Sequence, residues 1–160
     1  SGQAATALAA EPYVDLSDTV LIYNIDTYVE EGNLTPASLT GDGCIPVFEA
    51  VGDSWSFAKV GDDGDVVEVS EKEPISNLAS LGLYHFDEWR YFVDAFERAA
   101  GDIESEYGER YIAPLYNVLL EDGRRVTVNR VPAEQVHILG TPSEVQDFDN
   151  GFADRYGLDE

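Results

Sequence analysis

Apolar and polar positions follow strand-like and helix-like patterns along the chain, and these patterns predict strands and helices in alternation. The run 20–25 is almost continuously apolar, which is typical of a strand covered on both faces in a parallel sheet. Segments 55–60 and 66–70 alternate in polarity around the acidic turn 61–64 and predict a hairpin. Further strands are predicted at 44–51, 78–86 and 125–131.

Helical segments are predicted between these strands. Small residues favour a helix at 3–10, and the amphipathic segment 88–100 predicts a longer helix that ends at Gly101. Thr141 and Pro142 have the sequence of a helix start. Shorter helices are predicted at 34–39 and 112–121, and a frayed end or tail is predicted after 148. This order predicts one α/β domain over residues 1–160, with a mixed, mainly parallel sheet.

The composition excludes several classes of protein. The chain has 160 residues, of which 32 are acidic and 9 basic, so its formal net charge is −23. Unaided nucleic-acid binding is disfavoured, because phosphate recognition needs clustered Lys and Arg. No apolar run is long enough to span a membrane, and we expect no membrane partner. The single cysteine, Cys44, excludes an internal disulfide framework and a cysteine-based zinc cluster.

The acidic residues are scattered along the chain and do not form a tail, and only Lys59 and Lys72 among the basic residues are lysines. Self-repulsion at this charge destabilises a compact state at low salt and is screened at high salt. We interpret the chain as a cytoplasmic protein of a high-salt organism. The alternative is an ordinary acidic protein.

Several short segments occur in an order and spacing that match a known family. Together, over about residues 1–148, they resemble the sugar-1-phosphate nucleotidyltransferases, or nucleotide-sugar pyrophosphorylases. The segments are Gly2-Gln3-Ala4 before a helix, Leu21-Ile22-Tyr23-Asn24-Ile25-Asp26, Glu71-Lys72-Glu73-Pro74-Ile75-Ser76-Asn77, Gly82-Leu83-Tyr84, Tyr111-Ile112-Ala113-Pro114-Leu115-Tyr116-Asn117 and Leu139-Gly140-Thr141-Pro142.

The resemblance implies a Rossmann-like α/β/α sandwich. It also implies a glycine-rich loop, Gly-x-Gly-x-Arg followed by a lysine, which holds the nucleoside triphosphate in the family. That loop is absent here, and Gly41-Asp42-Gly43 is a poor substitute because it is acidic and turn-like. We therefore expect the chain to be the carboxyl-terminal part of a longer enzyme. Alone, it should be inactive and either unstable or self-associating, because a lost neighbouring strand would leave the backbone at 20–25 unpaired.

The implied reaction is magnesium-dependent. A sugar 1-phosphate attacks a nucleoside triphosphate, as in glucose-1-phosphate thymidylyltransferases, and gives a nucleotide sugar and pyrophosphate. Asp26 follows a strand, at the edge where ligands bind in α/β sheets, and is predicted to be catalytic as the Mg²⁺ ligand. The alternative is a capping or turn aspartate. The family's second metal-binding Asp would lie near Ile138, which cannot bind a metal, and this departure places the two-carboxylate site in question.

Other site residues are predicted from the same resemblance. Glu71 would accept hydrogen bonds from sugar hydroxyls, and Lys72 would meet the sugar phosphate, a contact that suits a point charge. The alternative is a surface pair in an acidic stretch. The sugar side would be lined by Asn77, Gly82 and Tyr84, although Tyr84 could equally be a core aromatic. The nucleobase would lie beside Gly2 and Gln3. The alternative for these two residues is a simple helix cap.

Two further functional hypotheses follow from these departures. One is a non-catalytic sensor or regulatory paralogue that binds a nucleotide sugar, and the other is a structural or assembly partner that binds no ligand. A related enzyme would transfer the nucleotide to a non-sugar phosphate, such as a phosphorylated amino alcohol. The nucleobase, the sugar and the oligomeric state, including a homo-oligomer, stay open.

Overall fold

Among the described residues, seven strands form one mixed sheet, and two more form a small separate ribbon. The computed structural model describes residues 2–149 and 151, so the tail predicted for the last residues lies outside the described part. The helices are α1 (Gln3–Leu8), α2 (Trp89–Tyr107), α3 (Tyr116–Glu121) and α4 (Pro142–Phe148). The strands are β1 (Val20–Tyr23), β2 (Thr27–Val29), β3 (Gly43–Glu49), β4 (Ser56–Val60), β5 (Val66–Glu71), β6 (Leu78–Ser80), β7 (Leu83–Phe86), β8 (Val126–Arg130) and β9 (Val136–Ile138).

The sheet is mostly antiparallel, so the predicted mainly parallel sheet is wrong. In the large sheet only β3 and β8 run parallel, with Gly43 beside Val126, while the other described strand pairs are antiparallel. The reason lies in the connections, because β4 and β5 are joined by a tight turn, which can link only antiparallel strands. The mixed α/β class itself is confirmed.

Strand β1 lies at the edge of the sheet in the described part of the chain, and it pairs with β7 alone. Its apolar run does not reflect burial on both faces, since Leu21 and Tyr23 are 56% and 45% exposed. Ile25, just beyond the strand, is 99% exposed. An edge strand with apolar side chains on its outer face presents unpaired backbone groups and apolar surface together.

Helices α1, α2 and α3 pack on one face of the sheet. The core there is largely aromatic, with Phe86 stacked on Tyr116 at 4.6 Å between ring centroids and Trp89 stacked on Phe92 at 4.7 Å. On the other face a smaller cluster around Phe48 is covered by loops and by the ribbon of β2 and β9. The predicted α/β/α sandwich is therefore not confirmed within residues 2–149 and 151.

Most predicted elements form, with altered ends. The helix expected to end before Gly101 continues through it and ends at Gly108, which has the left-handed conformation of a helix terminus. The ribbon of β2 and β9 was not predicted, because its two short strands carry no turn signal and pair over a long sequence separation. Thr141 caps α4 through a capping box with Glu144, as predicted.

The predicted strand at 78–86 is split into β6 and β7, and this break creates the candidate site. Both β6 and β7 pair with the same edge of β3. On their other edge, β7 pairs with β1 and β6 pairs with β4. Tyr23 lies opposite Leu83 and Phe57 lies opposite Ala79. The carboxyl end of β1 and the amino end of β4 therefore face each other across the break, which contains Gly82.

Candidate active site

A cavity of about 210 Å³ lies at this break, between the end of β1 and the start of β4. Its walls come from seven segments that are separated in the sequence. The lining residues are Gln3, Asn24, Asp26, Thr27, Ser54, Trp55, Ser56, Glu71, Lys72, Ser80, Leu81, Gly82, Tyr84, Tyr111 and Ile138. The site thus lies beyond the carboxyl end of β1, where the sequence analysis expected ligands to bind.

Glu71 is the buried acid of the cavity. It ends β5 and is only 5% exposed, because the neighbouring strand β4 covers it. Ser56, directly opposite in β4, donates a short hydrogen bond to its carboxylate. Burial raises the pKa of Glu71, while the Ser56 hydrogen bond and the charge of Lys72 lower the pKa. A buried carboxylate with free acceptor positions on a cavity wall is suited to accept hydrogen bonds from hydroxyl groups.

Lys72 follows Glu71 with an unusual backbone conformation. Its φ is 57°, and it is the one non-glycine residue of the described part with a positive φ. Its N–H donates to the Trp55 carbonyl at 2.9 Å, which fixes the turn. The side-chain ammonium donates to the Tyr111 hydroxyl at 2.7 Å, and this hydrogen bond raises the pKa of Lys72. Left-handed backbone at a long side chain is sterically costly, and such strain often occurs at functional sites.

The ammonium of Lys72 is also distinctive in its partners. Six of the basic residues in the described part form ion pairs with carboxylates, namely Lys59, Arg90, Arg98, Arg110, Arg124 and Arg125. Lys72 and Arg130 form no such pair in residues 2–149 and 151. In a chain of charge −23, an ammonium on a cavity wall without a carboxylate partner is available to an anion.

Gly82 and Tyr84 form the floor of the cavity. Gly82 has φ 82°, and a Cβ atom there would lie 2.8 Å from the Asn24 side-chain nitrogen, so a larger residue would collide with it. The Gly82 carbonyl accepts the Asn24 N–H at 2.8 Å. The Tyr84 side chain is buried, and this burial raises the pKa of its phenol, while hydrogen bonds with Ser80 and Ser56 lower that pKa.

Asp26 lies at the rim of the cavity and is exposed. Its carbonyl accepts the Leu139 N–H at 2.7 Å, and its Oδ2 would lie 3.4 Å from a Cβ atom added to Gly140. The next residue, Thr27, pairs with Ile138. The predicted metal ligand and the loop at 139–142 are thus adjacent, and Ile138 occupies the cavity wall beside Asp26.

The carboxylates that line the cavity are those of Asp26 and Glu71. Within the described residues, no group of three or more His, Cys, Asp or Glu side chains could hold a metal. Mg²⁺ commonly binds one or two carboxylates and takes its remaining oxygens from phosphates and water. Asp26 can supply one carboxylate of that kind, and Ile138 can supply none.

The structure brings most of the predicted site residues into one cavity. Gln3, Asp26, Glu71, Lys72, Gly82 and Tyr84 all line it. Gly2 and Asn77 do not. Gly2 packs against the Arg110 backbone, and Asn77 is exposed, with its carbonyl bonded to the Ala50 N–H at 3.1 Å.

Sequence reasoning missed several lining side chains. Tyr111 and Asn24 lie in the matched segments 111–117 and 21–26 but received no role. Ser56 and Ser80 carried no signal at all, since isolated serines in strands are common and only strand pairing places them beside Glu71 and Tyr84.

Comparisons with known proteins identify solved structures with a similar fold. No protein-family model matches the chain, and no curated protein matches it. Among solved structures, the nucleoside-diphosphate-sugar pyrophosphorylase of Vibrio cholerae RC9 is 37% identical, with a TM-score of 0.80 over 92% of this chain and 64% of that one. The predicted resemblance to the nucleotidyltransferase family is confirmed.

Two further structures show the same fold at lower identity. One is assigned as a glucose-1-phosphate thymidylyltransferase of Bacillus anthracis, in complex with sucrose, at 20% identity and TM-score 0.72. The other is the inositol-1-phosphate CTP transferase of T. maritima, at 13% identity and TM-score 0.65. Our chain spans between 57% and 64% of the length of these three nucleotidyltransferases. No helix in residues 2–149 and 151 is long and apolar enough to cross a membrane.

Proposed function

We propose that this chain carries the sugar-phosphate side of the active site of a nucleotidyltransferase. The complete enzyme would transfer a nucleotidyl group from a nucleoside triphosphate to a sugar 1-phosphate and release pyrophosphate. The observation that carries the proposal is the Glu71–Lys72 pair. It presents to the same cavity a buried carboxylate and an ammonium that has no ion pair with a carboxylate in the described part of the chain. The 37% identical neighbour, a nucleoside-diphosphate-sugar pyrophosphorylase, supports it.

The two members of the pair would recognise the two halves of the substrate. Glu71 would accept hydrogen bonds from ring hydroxyls, while Gly82, against which the Asn24 side chain packs, would keep Asn24 on the cavity wall. Lys72 would bind the phosphate as a point charge. An acidic protein repels phosphates at long range, so this local cation is essential for substrate binding.

In the proposed reaction, an oxygen of the sugar phosphate attacks the α-phosphorus of the triphosphate in line. The new phosphorus–oxygen bond forms as the bond to the leaving pyrophosphate breaks, without a covalent protein intermediate. The protein contributes mainly by positioning and by charge neutralisation. Asp26 would hold Mg²⁺ at the rim, and that ion would supply the positive charge that lets two phosphates approach.

We further propose that a segment outside these 160 residues supplies the triphosphate loop. The sequence contains no Gly-x-Gly-x-Arg motif, and the chain spans less than two thirds of the neighbouring nucleotidyltransferases. Residues 1–160 would then form the larger part of one nucleotidyltransferase domain. On this proposal the chain alone binds the sugar phosphate but does not turn it over.

Calorimetric titration of the chain with glucose 1-phosphate in molar KCl tests the proposal. We expect binding that is weakened at least tenfold by Glu71→Gln and by Lys72→Met. The matched controls, Glu68→Gln and Lys59→Met, remove the exposed ion pair between β4 and β5 and should leave binding unchanged. If glucose 1-phosphate does not bind, or if both pairs of variants behave alike, the assignment of this cavity fails.

A nucleotide-sugar sensor is a second candidate, and Ile138 is the observation that favours it. A single carboxylate at the rim gives a weaker metal site than two, and a sensor does not need catalysis. The complete gene product decides between the two candidates. Pyrophosphate released from a nucleoside triphosphate and glucose 1-phosphate supports the enzyme, whereas nucleotide-sugar binding without release supports the sensor.

A further inference from the structure

We propose that Tyr111 is a positioning residue, which holds the Lys72 ammonium at the cavity wall for the phosphate of the substrate. This inference rests on the proposed function and adds a residue to it. Tyr111 lines the cavity, and its hydroxyl accepts a hydrogen bond from the Lys72 Nζ at 2.7 Å. No other side-chain hydrogen bond is formed by the Lys72 ammonium within residues 2–149 and 151.

Tyr111 comes from a different part of the fold from Lys72. It follows the end of α2, where Gly108 reverses the chain, and its ring packs against the helical core and meets Tyr107 at 6.5 Å between centroids. The ring is thus fixed by packing, while its hydroxyl points to the cavity. A fixed hydroxyl can define the place of an otherwise mobile lysine side chain.

It matters that the acceptor is a hydroxyl, because the carboxylates near Lys72 are alternative partners for its ammonium. Glu71 and Glu109 are close enough for their charges to raise the pKa of Lys72. An ion pair with either would neutralise the ammonium, as the ion pair with Glu68 does for Lys59. Tyr111 accepts one of the three ammonium N–H groups without adding negative charge, so two donors and the full charge stay available to a phosphate.

The hydroxyl of Tyr111 has a second capacity. While its oxygen accepts from Lys72, its own O–H can donate to an oxygen of the same phosphate. Two donors on one phosphate define its orientation as well as its position. Tyr111 therefore suits a substrate that ends in a phosphate.

The two lysines of the chain make the test direct. With ¹³C-labelled lysine, the side-chain spectrum contains signals from Lys59 and Lys72 alone. Titration with inorganic phosphate or glucose 1-phosphate at constant KCl should shift the Lys72 signal, with Lys59 as the internal reference. Tyr111→Phe removes only the hydroxyl, and Tyr107→Phe is the matched control on the neighbouring ring.

We expect Tyr111→Phe to raise the Kd of both phosphates about three- to tenfold, the effect of one lost hydrogen bond. Tyr107→Phe should leave both Kd values unchanged. In a Lys72→Met background, where calorimetry replaces the lost Lys72 signal, the effect of Tyr111→Phe should be smaller, because there is no longer an ammonium to position. This double variant separates positioning from a general loss of packing, which would lower affinity in either background.

The outcomes distinguish this inference from the proposed function. If wild type binds both phosphates and Tyr111→Phe binds them equally well, the role of Tyr111 is overturned and the proposed function stands. If wild type binds neither phosphate, both are overturned. If Tyr111→Phe weakens binding equally with and without Lys72, the effect is structural and the inference is wrong.

Discussion

Thr27 pairs with Ile138 across the small ribbon, so that Asp26 and Ile138 become neighbours on the cavity wall. This pairing joins the end of β1 to the loop at 139–142, which are far apart in the sequence. It also places an apolar side chain where a second carboxylate would complete a metal site. The ribbon is therefore the element that decides how many protein ligands a metal can have.

A second carboxylate at this position should strengthen metal binding. We expect Ile138→Asp to bind Mn²⁺, used as a paramagnetic substitute for Mg²⁺, at least tenfold more tightly than wild type, because Asp26 and the new group would share the ion. Ile138→Asn has the same size without the charge and should resemble wild type. Water proton relaxation measures the affinity, and equal values for the Asp and Asn variants would contradict the prediction.

The buried carboxyl of Glu71 should make stability depend on pH. Its folded-state pKa is raised by burial, so its contribution to stability is fully present below the ordinary pKa of 4.5 and is lost as pH rises through the raised value. Glu71→Gln lacks this loss. The free energy of unfolding of the variant should therefore increase relative to wild type as pH rises above 4.5. Urea unfolding at fixed KCl measures the difference, and the exposed Glu68→Gln should show a smaller one.

The left-handed backbone of Lys72 should lower the free energy of unfolding, and glycine at this position should relieve that strain. A residue with φ 57° is strained by its Cβ atom by about 1 kcal/mol, partly offset by the greater freedom of glycine in the unfolded chain. Lys72→Gly should leave thermal stability unchanged or slightly raised, yet abolish glucose 1-phosphate binding. Lys59→Gly, within β4, should instead destabilise by about 1 kcal/mol. A clear loss of stability in Lys72→Gly would argue against strain.

The exposed edge of β1 should promote self-association. Leu21 and Ile25 add apolar surface to a strand whose outer backbone groups are unpaired in the described structure. We expect the chain to elute as dimers or larger species in high salt, where its charges are screened. Leu21→Lys combined with Ile25→Lys should shift it towards monomer. Light scattering with size exclusion gives the mass, and a monodisperse wild-type monomer would count against this.

The net charge of −23 should make stability increase with salt. Acidic side chains repel each other in the folded chain, and KCl at molar concentration reduces the Debye length to about 3 Å. Thermal unfolding in a KCl series should show a rising midpoint between dilute and molar salt. A midpoint that falls over this range would rule out adaptation to a high-salt cytoplasm.

How far the sequence predicts the structure depends on the range of each interaction. The hairpin of β4 and β5 is predicted because its turn is local, with the Gly61 N–H bonded to the Asp65 carbonyl at 2.9 Å. Whether neighbouring strands run parallel or antiparallel is not predicted, since an apolar run such as that of β1 occurs both in buried parallel strands and at an edge. Strand pairing is set by contacts between distant segments, which no local pattern records.

The same distinction applies to the site. Asp26, Glu71 and Lys72 could be proposed because they lie in motifs whose order resembles a known family. Ser56 could not, although it donates a hydrogen bond to Glu71, because its role follows from facing Glu71 across the sheet. The polar residues that hydrogen-bond to the site residues are brought there by the fold. They can be identified only when the pairing of the strands is known.

The one parallel pair of the sheet has a consequence for how the protein is made. Gly43 in β3 pairs with Val126 in β8, so one edge of β3 stays open until residues 126–130 have left the ribosome. β3 meets β6 and β7 earlier, and a half-built sheet with an apolar open edge must persist in between. Closure over so long a loop is slow, and during that interval the open edge of β3 is exposed to pairing with neighbouring copies of the chain.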